Sequence, residues 1–337
     1  MRKQIKSLAD MITKQYRFVF VDVGAMGGLP RKWLPLANYM DVIGFEPDLR
    51  EFNMLVNRNN TGIKYFNYAL SDKSSNFVYY ITQGHGKSSI YKPNTDILSH
   101  YEDAQRFCVI KEDRLTSSRV KGLDFLFEEN FVNDLDFIKL DTQGSELLIL
   151  KGGEEKAIPK IFGMQIEIEF IEMYKGQPLF RHVDEFLDAK GFTLIDLRRQ
   201  YWKRKDYYQY RGKGQLIFGD ALYFKKIDVF FNEMSMLKDK ECVRAKVLKS
   251  IIVCVVYKMF DYAVSLAKLG AKHDYFDVDE CKKVISMIKN LSQKGVPLGM
   301  HLGKIYPLVN LILKKFKPPS YLGWADGDPE IGNVKDV

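Results

Sequence analysis

Cysteine is scarce in this sequence, and its four cysteines show no paired spacing: Cys108, Cys242, Cys254 and Cys281. Such spacing favours neither a zinc site nor a disulfide framework, and it points to a reducing compartment, so we expect a cytoplasmic protein. No apolar run reaches the ~20 residues that a membrane-spanning helix needs. The basic stretch over residues 1–6 lacks the apolar segment of a secretory signal. The sequence therefore predicts neither a membrane span nor a disulfide-stabilised secreted domain.

Acidic residues are outnumbered by basic ones, 43 against 51, and the formal net charge is +8. An excess of positive charge predicts acidic partners, such as anionic glycans, lipid head groups or nucleic acid. The charges are scattered along the chain, so an ordinary solvated surface is the alternative. At 46% hydrophobic residues over 337 positions, the chain is long and apolar enough to bury a substantial core.

The most informative stretch runs from Phe18 to Gly28. Four apolar residues lead into Asp22, and a glycine-rich turn follows from Gly24. A short apolar run closed by glycines is typical of a buried parallel strand that feeds a loop. In open α/β sheets, ligands bind at the carboxyl ends of such strands, and glycine lets the backbone approach them closely.

The residue types in this loop favour one ligand over another. A dinucleotide fingerprint requires glycine at positions 22, 24 and 27, but position 22 is Asp22, whose carboxylate repels a pyrophosphate. S-adenosylmethionine has no phosphate and carries two cationic groups. Glu46 ends a second predicted strand about 20 residues after the loop, the spacing of an acid that holds a ribose diol. The alternative is that Asp22 and Glu46 only cap strand ends.

The end of a third predicted strand, over residues 63–70, is expected beside the same loop. The residues predicted to contact S-adenosylmethionine are therefore Asp22, Gly24, Ala25, Met26, Glu46, Pro47, Tyr68, Ala69 and Leu70.

Strands and helices alternate over most of residues 1–226, which we predict to form one α/β domain. A crossover helix is expected over residues 30–39, with Trp33, Leu34 and Leu36 inward, and another helix over 123–130. Residues 73–120 break the alternation and predict a β-rich insertion that builds the substrate site. A basic loop is expected over 198–205, where Tyr201 or Trp202 stacks on a sugar ring or merely anchors a hairpin.

From residue 227 the pattern becomes helical, so an α-helical extension is predicted over 227–316. Apolar residues recur at i, i+4 spacing from Val243 to Leu266, and Gly270 ends this run. The apolar segment 251–256 is expected to pack on the α/β domain or on a second subunit. A further helix is predicted over 302–316. Prolines and glycines predict a disordered tail over 317–337.

Several short motifs, in the same order, resemble the FkbM-type methyltransferases between about residues 16 and 226. They are Asp22-Val23-Gly24, Phe45-Glu46-Pro47-Asp48, Ala69-Leu70-Ser71-Asp72, Phe137-Ile138-Lys139-Leu140-Asp141, Gly144-Ser145-Glu146, Leu150-Lys151-Gly152-Gly153 and Tyr174-Lys175-Gly176-Gln177-Pro178-Leu179-Phe180. The resemblance implies a seven-stranded, Rossmann-like α/β sheet with helices on both faces. It also implies S-adenosylmethionine-dependent O-methylation of sugar or polyketide hydroxyls. The sequence departs from the family pattern at Gln143, where relatives usually have glutamate.

Three residues are candidates for catalysis: Asp141, His85 and Glu169. Asp141 follows the fourth core strand, where the resemblance places the transferable methyl group, and it is suited to orient a hydroxyl or take its proton. An Mg²⁺ site formed by Asp141 with Glu167 or Glu169 is an open variant. Each candidate also has a structural alternative. Asp141 caps a turn through the amides of the following residues, and Glu167 and Glu169 lie on a face that is merely polar. His85 lies in a mobile loop without a function.

The predicted function is transfer of a methyl group to a hydroxyl of a sugar or glycan precursor. An anionic or lipid-linked precursor is one form of this hypothesis. One alternative is methylation of RNA or another small molecule, although no aromatic platform for single strands is evident and no specific nucleic acid is expected. Another is a catalytically silent binding or assembly module. Peripheral membrane contact and homo-oligomerisation are further expectations.

Overall fold

The structure of the protein is a computed structural model, and it describes residues 2–57, 62–207, 209–210, 212–293, 324–328 and 331. In chain order its strands are β1 (Phe18–Val23), β2 (Met40–Phe45), β3 (Ile63–Phe66), β4 (Ala69–Ser71), β5 (Phe77–Thr82), β6 (Val109–Leu115), β7 (Val120–Gly122), β8 (Phe137–Leu140), β9 (Gly163–Glu169), β10 (Phe192–Trp202), β11 (Gln215–Lys225) and β12 (Ala325–Gly327).

The α-helices are α1 (Arg2–Ala9), α2 (Leu49–Asn57), α3 (Thr95–Leu98), α4 (Phe125–Glu128), α5 (Glu146–Lys151), α6 (Phe180–Ala189), α7 (Ile227–Ser235), α8 (Lys240–Val256), α9 (Phe260–Lys272) and α10 (Val278–Gln293). Short 3₁₀ helices cover Lys14–Tyr16, Leu34–Tyr39, Ala104–Phe107 and Ile158–Lys160. No helix within these described ranges has the length and apolar character that crossing a bilayer requires.

Within the described residues, the main sheet has the order β12-β10-β11-β9-β8-β1-β2-β3. The strands β3, β2, β1, β8 and β9 are parallel, while β11 runs antiparallel to both β9 and β10. Without the three-residue edge strand β12, this is the predicted seven-stranded Rossmann-like sheet, and the fold class is confirmed. Its parallel strands end together, so Gly24, Glu46 and Asp141 come to one edge.

Two predicted elements of the α/β domain differ in the structure. Residues 30–39 form turns and a 3₁₀ helix instead of an α-helix, and Leu34 is exposed while Trp33 and Leu36 are buried. With Pro35 at the start and only six residues, the segment has no room for an apolar face at helical spacing. The predicted third strand splits: β3 joins the main sheet, whereas β4 pairs with β7 of the insertion.

Two further segments also differ from the sequence prediction. The predicted helix over 123–130 is the single turn α4. The basic segment 198–205 is not a loop throughout, because β10 continues to Trp202, which pairs with Gln215 of β11. Trp202 is buried, so it presents no face to a sugar. Register irregularities in the β10–β11 pair allow this long hairpin to bend, which explains why its alternation is hard to read from the sequence.

The helical extension covers one face of the sheet. Residues 251–256 of α8 are buried there, and Tyr257 donates a hydrogen bond to Gln165 of β9 at 2.9 Å. The single apolar run predicted from Val243 to Leu266 is interrupted between α8 and α9, where Lys258 has a φ of 57°. The predicted helix over 302–316 lies outside the described residues, and so does most of the predicted tail over 317–337. The strand β12 falls within that tail and pairs with β10.

A buried ion-pair cluster joins α8 to the start of β8. Lys246 and Lys249 each bridge Asp134 and Asp136 at 2.7–3.0 Å, and Asp136 also accepts a hydrogen bond from the amide of Val19 in β1 at 2.8 Å. The Asp136 side chain is almost fully buried, while that of Asp134 is partly exposed. The cluster therefore ties the extension to two central strands.

Replacing Asp136 with alanine is expected to lower the free energy of unfolding by about 3–5 kcal/mol, because two buried ammonium groups lose their shared partner. Asp134→Ala is the matched control, since it touches the same two lysines from a more exposed position and is expected to cost less. Urea unfolding measures both changes. A cost for Asp136→Ala no larger than that for Asp134→Ala would contradict this account.

Candidate active site

A cavity opens at the carboxyl edge of the parallel strands, between that edge and the insertion. The strand ends and the turns after them contribute Val23, Gly24, Met26, Glu46, Pro47, Asp48, Tyr68, Ala69, Leu70, Asp141, Thr142, Gln143, Ser145 and Glu167. Helix α2 and the insertion contribute Glu51, Tyr79, His85, Gly86, Lys87, Ser88, Ile90 and Arg106. The strand ends thus contribute apolar residues together with the acids Glu46, Asp48, Asp141 and Glu167, and the insertion contributes the basic side chains His85, Lys87 and Arg106.

The glycine loop after β1 is held against two neighbouring strands. The amides of Gly24 and Ala25 donate to the carbonyl of Phe45 at 3.0 and 3.1 Å. Gly24 has a φ of +74°, and a Cβ at this position would lie 2.0 Å from the carbonyl oxygen of Asp141. Only glycine fits both requirements, so Gly24 allows the loop to pack directly on the turn that carries Asp141.

Glu46 is the buried acid beside this loop. Its Oε1 accepts a hydrogen bond from the amide of Asp48 at 3.0 Å, and the backbone carbonyl of Glu46 accepts one from Asn67 at 2.7 Å. Burial raises the pKa of Glu46 to about 8, although the Asp48 amide lowers it in part. In its ionised form, a carboxyl group so placed accepts hydrogen bonds from hydroxyl groups that a ligand supplies.

Lys139 in β8 lies between two acids. Its Nζ is 3.2 Å from Asp141 Oδ2 and 3.6 Å from Asp22 Oδ1. Burial raises the pKa of Asp22 to about 6, and Lys139 offsets part of this effect. Burial also acts to raise the pKa of Asp141, but Lys139 and Lys87 outweigh it, so the net pKa of Asp141 is lowered. Asp141 is therefore a charged carboxylate on the cavity wall.

Gln143 connects the carboxyl edge of the sheet to the insertion. Its amide NH₂ donates to Asp141 Oδ1 at 3.2 Å and to Glu167, while its Oε1 accepts from Lys87 at 3.2 Å and from Tyr174 at 2.9 Å. Gln143 has a φ of 61°, a left-handed backbone that non-glycine residues rarely adopt. This backbone places the side chain among four partners, and strain of this kind concentrates at functional sites.

The turn after β8 is organised by Glu146 and not by Asp141. Glu146 accepts hydrogen bonds from the amide and hydroxyl of Thr142 at 2.7 and 2.9 Å and from the amide of Gly144 at 2.9 Å. Burial nevertheless raises the pKa of Glu146 to about 7. The structural alternative for Asp141, a cap on the amides of this turn, is thus fulfilled by another residue.

Glu167 and Glu169 lie on β9, and burial raises the pKa of both well above the ordinary glutamate value. Glu167 lines the cavity, and Glu169 does not. The amide of Gln143 bridges the carboxyl groups of Asp141 and Glu167. Among the described residues, no group of three or more His, Cys, Asp or Glu side chains is arranged to hold a metal. The side chains at this position therefore do not fit the Mg²⁺ site considered from the sequence.

His85 belongs to the insertion and lines the cavity. Its Nδ1 contacts Glu51 of α2, next to the Glu46–Asp48 segment, and the imidazole is more than half exposed. The structure thus places His85 beside Glu51, in the cavity that Asp141 also lines. Its role as a catalytic group stays a prediction.

The cavity gathers seven of the nine predicted cofactor residues; Asp22 and Ala25 do not line it. The contact of these two residues with the cofactor stays a prediction, and the Asp22 side chain pairs with Lys139 at 3.6 Å. Sequence reasoning missed Lys87 and Tyr174 as members of the site. The signal for Tyr174 was its position in one of the motifs that resemble the FkbM family, whereas Lys87 carried no signal beyond its place in a polar loop of the insertion.

The strand order, the glycine loop and the cavity at the carboxyl edge define a Rossmann-like methyltransferase. The model of the methyltransferase FkbM domain matches residues 22–194, just over half of the chain. The chain therefore belongs to the FkbM methyltransferase family. A curated relative is 2-O-methyltransferase NoeI of Sinorhizobium fredii (strain NBRC 101917 / NGR234), which is 25% identical over 182 residues, covering 52% of this chain and 73% of NoeI.

Solved structures resemble the chain only distantly. The B. subtilis M1A22 tRNA methyltransferase TrmK has a TM-score of 0.29 and 11% identity, covering 86% of this chain and 97% of its own. Precorrin-6y C5,15-methyltransferase from Geobacter metallireducens GS-15 has a TM-score of 0.30 and 9% identity, covering 66% and 88%. Likeness at this level carries no argument about the substrate.

Proposed function

We propose that this protein is an S-adenosylmethionine-dependent O-methyltransferase that acts on a hydroxyl of a sugar or glycan precursor. The observation that carries the proposal is the cavity in which Gly24, Glu46 and Asp141 meet at one sheet edge. Membership of the FkbM methyltransferase family supports methyl transfer, and the resemblance to a 2-O-methyltransferase supports oxygen as the acceptor atom.

The side chains present fit S-adenosylmethionine. Val23, Leu70 and Tyr68 supply an apolar wall for an adenine ring, and Glu46 supplies a buried carboxyl group for the ribose hydroxyls. Gly24, Met26 and Asp141 line the same cavity, and we assign the methionine portion to the space beside them. When bound, this cofactor supplies a methyl group on a positively charged sulfur.

Asp141 is the residue that we assign to the acceptor hydroxyl. Methyl transfer to oxygen is an in-line displacement, so the protein must align the hydroxyl and accept its proton. Asp141 accepts a hydrogen bond from this hydroxyl, which becomes strongly acidic as the new C–O bond forms, so a carboxylate of lowered pKa is a sufficient base. Lys139 and Gln143 hold the Asp141 carboxylate in place at 3.2 Å each. The proposed reaction uses no metal ion.

The proposal is tested by incubating the full chain with S-adenosylmethionine labelled in its methyl group and with panels of nucleotide sugars, oligosaccharides and RNA. We expect label on a carbohydrate oxygen, identified by mass spectrometry after hydrolysis. Label on RNA would instead identify a nucleic acid as the substrate and would contradict the carbohydrate proposal. Cofactor binding without transfer to any hydroxyl acceptor would favour a catalytically silent module.

The raised pKa of Glu46 predicts a pH dependence of cofactor binding. The ionised carboxylate accepts hydrogen bonds from ribose hydroxyls, so affinity is expected to rise up to a pH of about 8 and then level off. Below that pH, a ligand that needs the ionised form loses up to about tenfold in affinity per pH unit.

The suitable probe is 5′-methylthioadenosine, which keeps the ribose but has no group that titrates in this range. Calorimetric titrations between about pH 6.5 and about pH 8.5 measure the profile, and Glu46→Gln is the matched control because it does not titrate. A flat wild-type profile, or a slope that survives in Glu46→Gln, would be incompatible with the assigned role.

A further inference from the structure

The insertion contributes three basic side chains to the cavity wall, and they differ in their partners. His85 contacts Glu51, and Arg106 pairs with Asp103 at 2.8 Å. Lys87 Nζ instead donates to a neutral oxygen, Oε1 of Gln143, at 3.2 Å, and takes part in no ion pair within the described residues. Lys87 is therefore the cation on this wall whose charge lacks a direct acidic partner in the described chain.

The acids nearest to Lys87 act on its charge from a distance and do not pair with it directly within the described residues. Burial raises the pKa of Glu167 and Glu169 well above the ordinary glutamate value, and in the part of the chain that the structure describes neither carboxyl group forms an ion pair with Lys87. Asp141 is ionised, but Lys139 already pairs with it at 3.2 Å. An anion that approaches Lys87 thus meets a positive charge with no free carboxylate in direct contact.

Lys87 is also held in a defined position. Its Nζ lies 5.8 Å from the ring centroid of Phe107 and 5.4 Å from that of Phe218, within cation–π range. Tyr174, fully buried, donates a hydrogen bond at 3.0 Å to the backbone carbonyl of Lys87. An ammonium group fixed in this way is prearranged for a ligand, in contrast to a lysine that moves freely in solvent.

We propose that the acceptor carries an anionic group, a carboxylate or a phosphate, close to the hydroxyl that is methylated, and that Lys87 binds this group. Only the side-chain amide of Gln143 separates Lys87 from Asp141, so one sugar unit can reach both. Gln143 then couples the anion-binding lysine to the carboxylate that holds the hydroxyl. The proposal rests on the proposed function and names the substrate class for that same cavity.

The test uses the full chain saturated with S-adenosylhomocysteine, titrated with glucose, glucuronate and glucose 6-phosphate and followed by ligand-observed NMR. We expect glucuronate or glucose 6-phosphate to bind at least about tenfold more tightly than glucose, and the tighter of the two identifies carboxylate or phosphate as the group recognised. Lys87→Gln should abolish the preference, and Lys87→Arg should retain most of it. Lys111→Gln, an exposed lysine of the same insertion, is the control and should change nothing.

The possible outcomes separate this inference from the proposed function. If S-adenosylhomocysteine fails to bind to the folded protein, the proposed function is overturned and the inference falls with it. If S-adenosylhomocysteine binds but the charged sugars bind no better than glucose, or if Lys87→Gln keeps their preference, this inference alone is overturned.

Discussion

Gly24→Ala is expected to abolish cofactor binding, with a loss of affinity of about a hundredfold or more. The added Cβ would lie 2.0 Å from the carbonyl oxygen of Asp141, far inside van der Waals contact, and the φ of +74° is strained for alanine. The loop after β1 must therefore move away from β8. The cavity residues on the loop and those on the Asp141 turn then no longer keep their relative positions. We expect the free energy of unfolding to fall by about 3 kcal/mol or more as well. Calorimetry with S-adenosylhomocysteine and urea unfolding measure the two effects.

Gly27→Ala separates the clash from the backbone strain. Gly27 belongs to the same loop and has a φ of +85°, but a Cβ there meets nothing within 4 Å. This variant is expected to lose only about 1–2 kcal/mol of stability and to retain cofactor binding. Equal losses of affinity in the two variants would mean that the contact between Gly24 and Asp141 does not shape the site.

Asp141→Asn is expected to lower the rate of methyl transfer by about a hundredfold to ten-thousandfold, because the amide cannot accept the hydroxyl proton. Lys139 keeps its other partner, Asp22, so the strand itself should remain intact. Binding of S-adenosylhomocysteine is expected to change by less than about threefold, since the ribose and adenine contacts lie elsewhere in the cavity. The combination of lost turnover and retained affinity distinguishes a role in the reaction from a structural role.

The rate is measured on the glycan acceptor found in the transfer screen. Asp279→Asn, on an almost fully exposed side chain of α10, makes the same chemical change away from the cavity and is expected to leave the rate unaltered. A variant Asp141→Asn that retains more than about a tenth of the wild-type rate would remove Asp141 from the proposed chemistry.

The fold was largely predictable because its central strands are short apolar runs closed by distinctive residues. Gly24, Glu46 and Asp141 each follow such a run, and parallel strands necessarily bring the residues after them to one edge. The sequence pattern was less reliable where tertiary pairing overrides local preference. The segment 198–202 is basic and aromatic like a loop, but pairing with β11 extends it as strand.

The details of the site were harder to predict because they depend on contacts between distant segments. Gln143 is separated by 56 residues from Lys87, and by 31 residues from Tyr174, and no local pattern indicates that these three side chains meet. The departure at Gln143 was visible in the sequence, but its consequence was not. In the structure its amide donates to two acids and accepts from a lysine and a tyrosine, a combination that glutamate cannot reproduce in its ionised form.

The central claim is that this cavity binds an adenosyl cofactor for methyl transfer. Calorimetric titration of the purified full chain with S-adenosylmethionine and S-adenosylhomocysteine, with NAD as the comparison ligand, tests this claim most directly. The account predicts micromolar binding of both adenosyl compounds and no binding of NAD. Failure of both adenosyl compounds to bind a protein shown to be folded, or a preference for NAD, would contradict it.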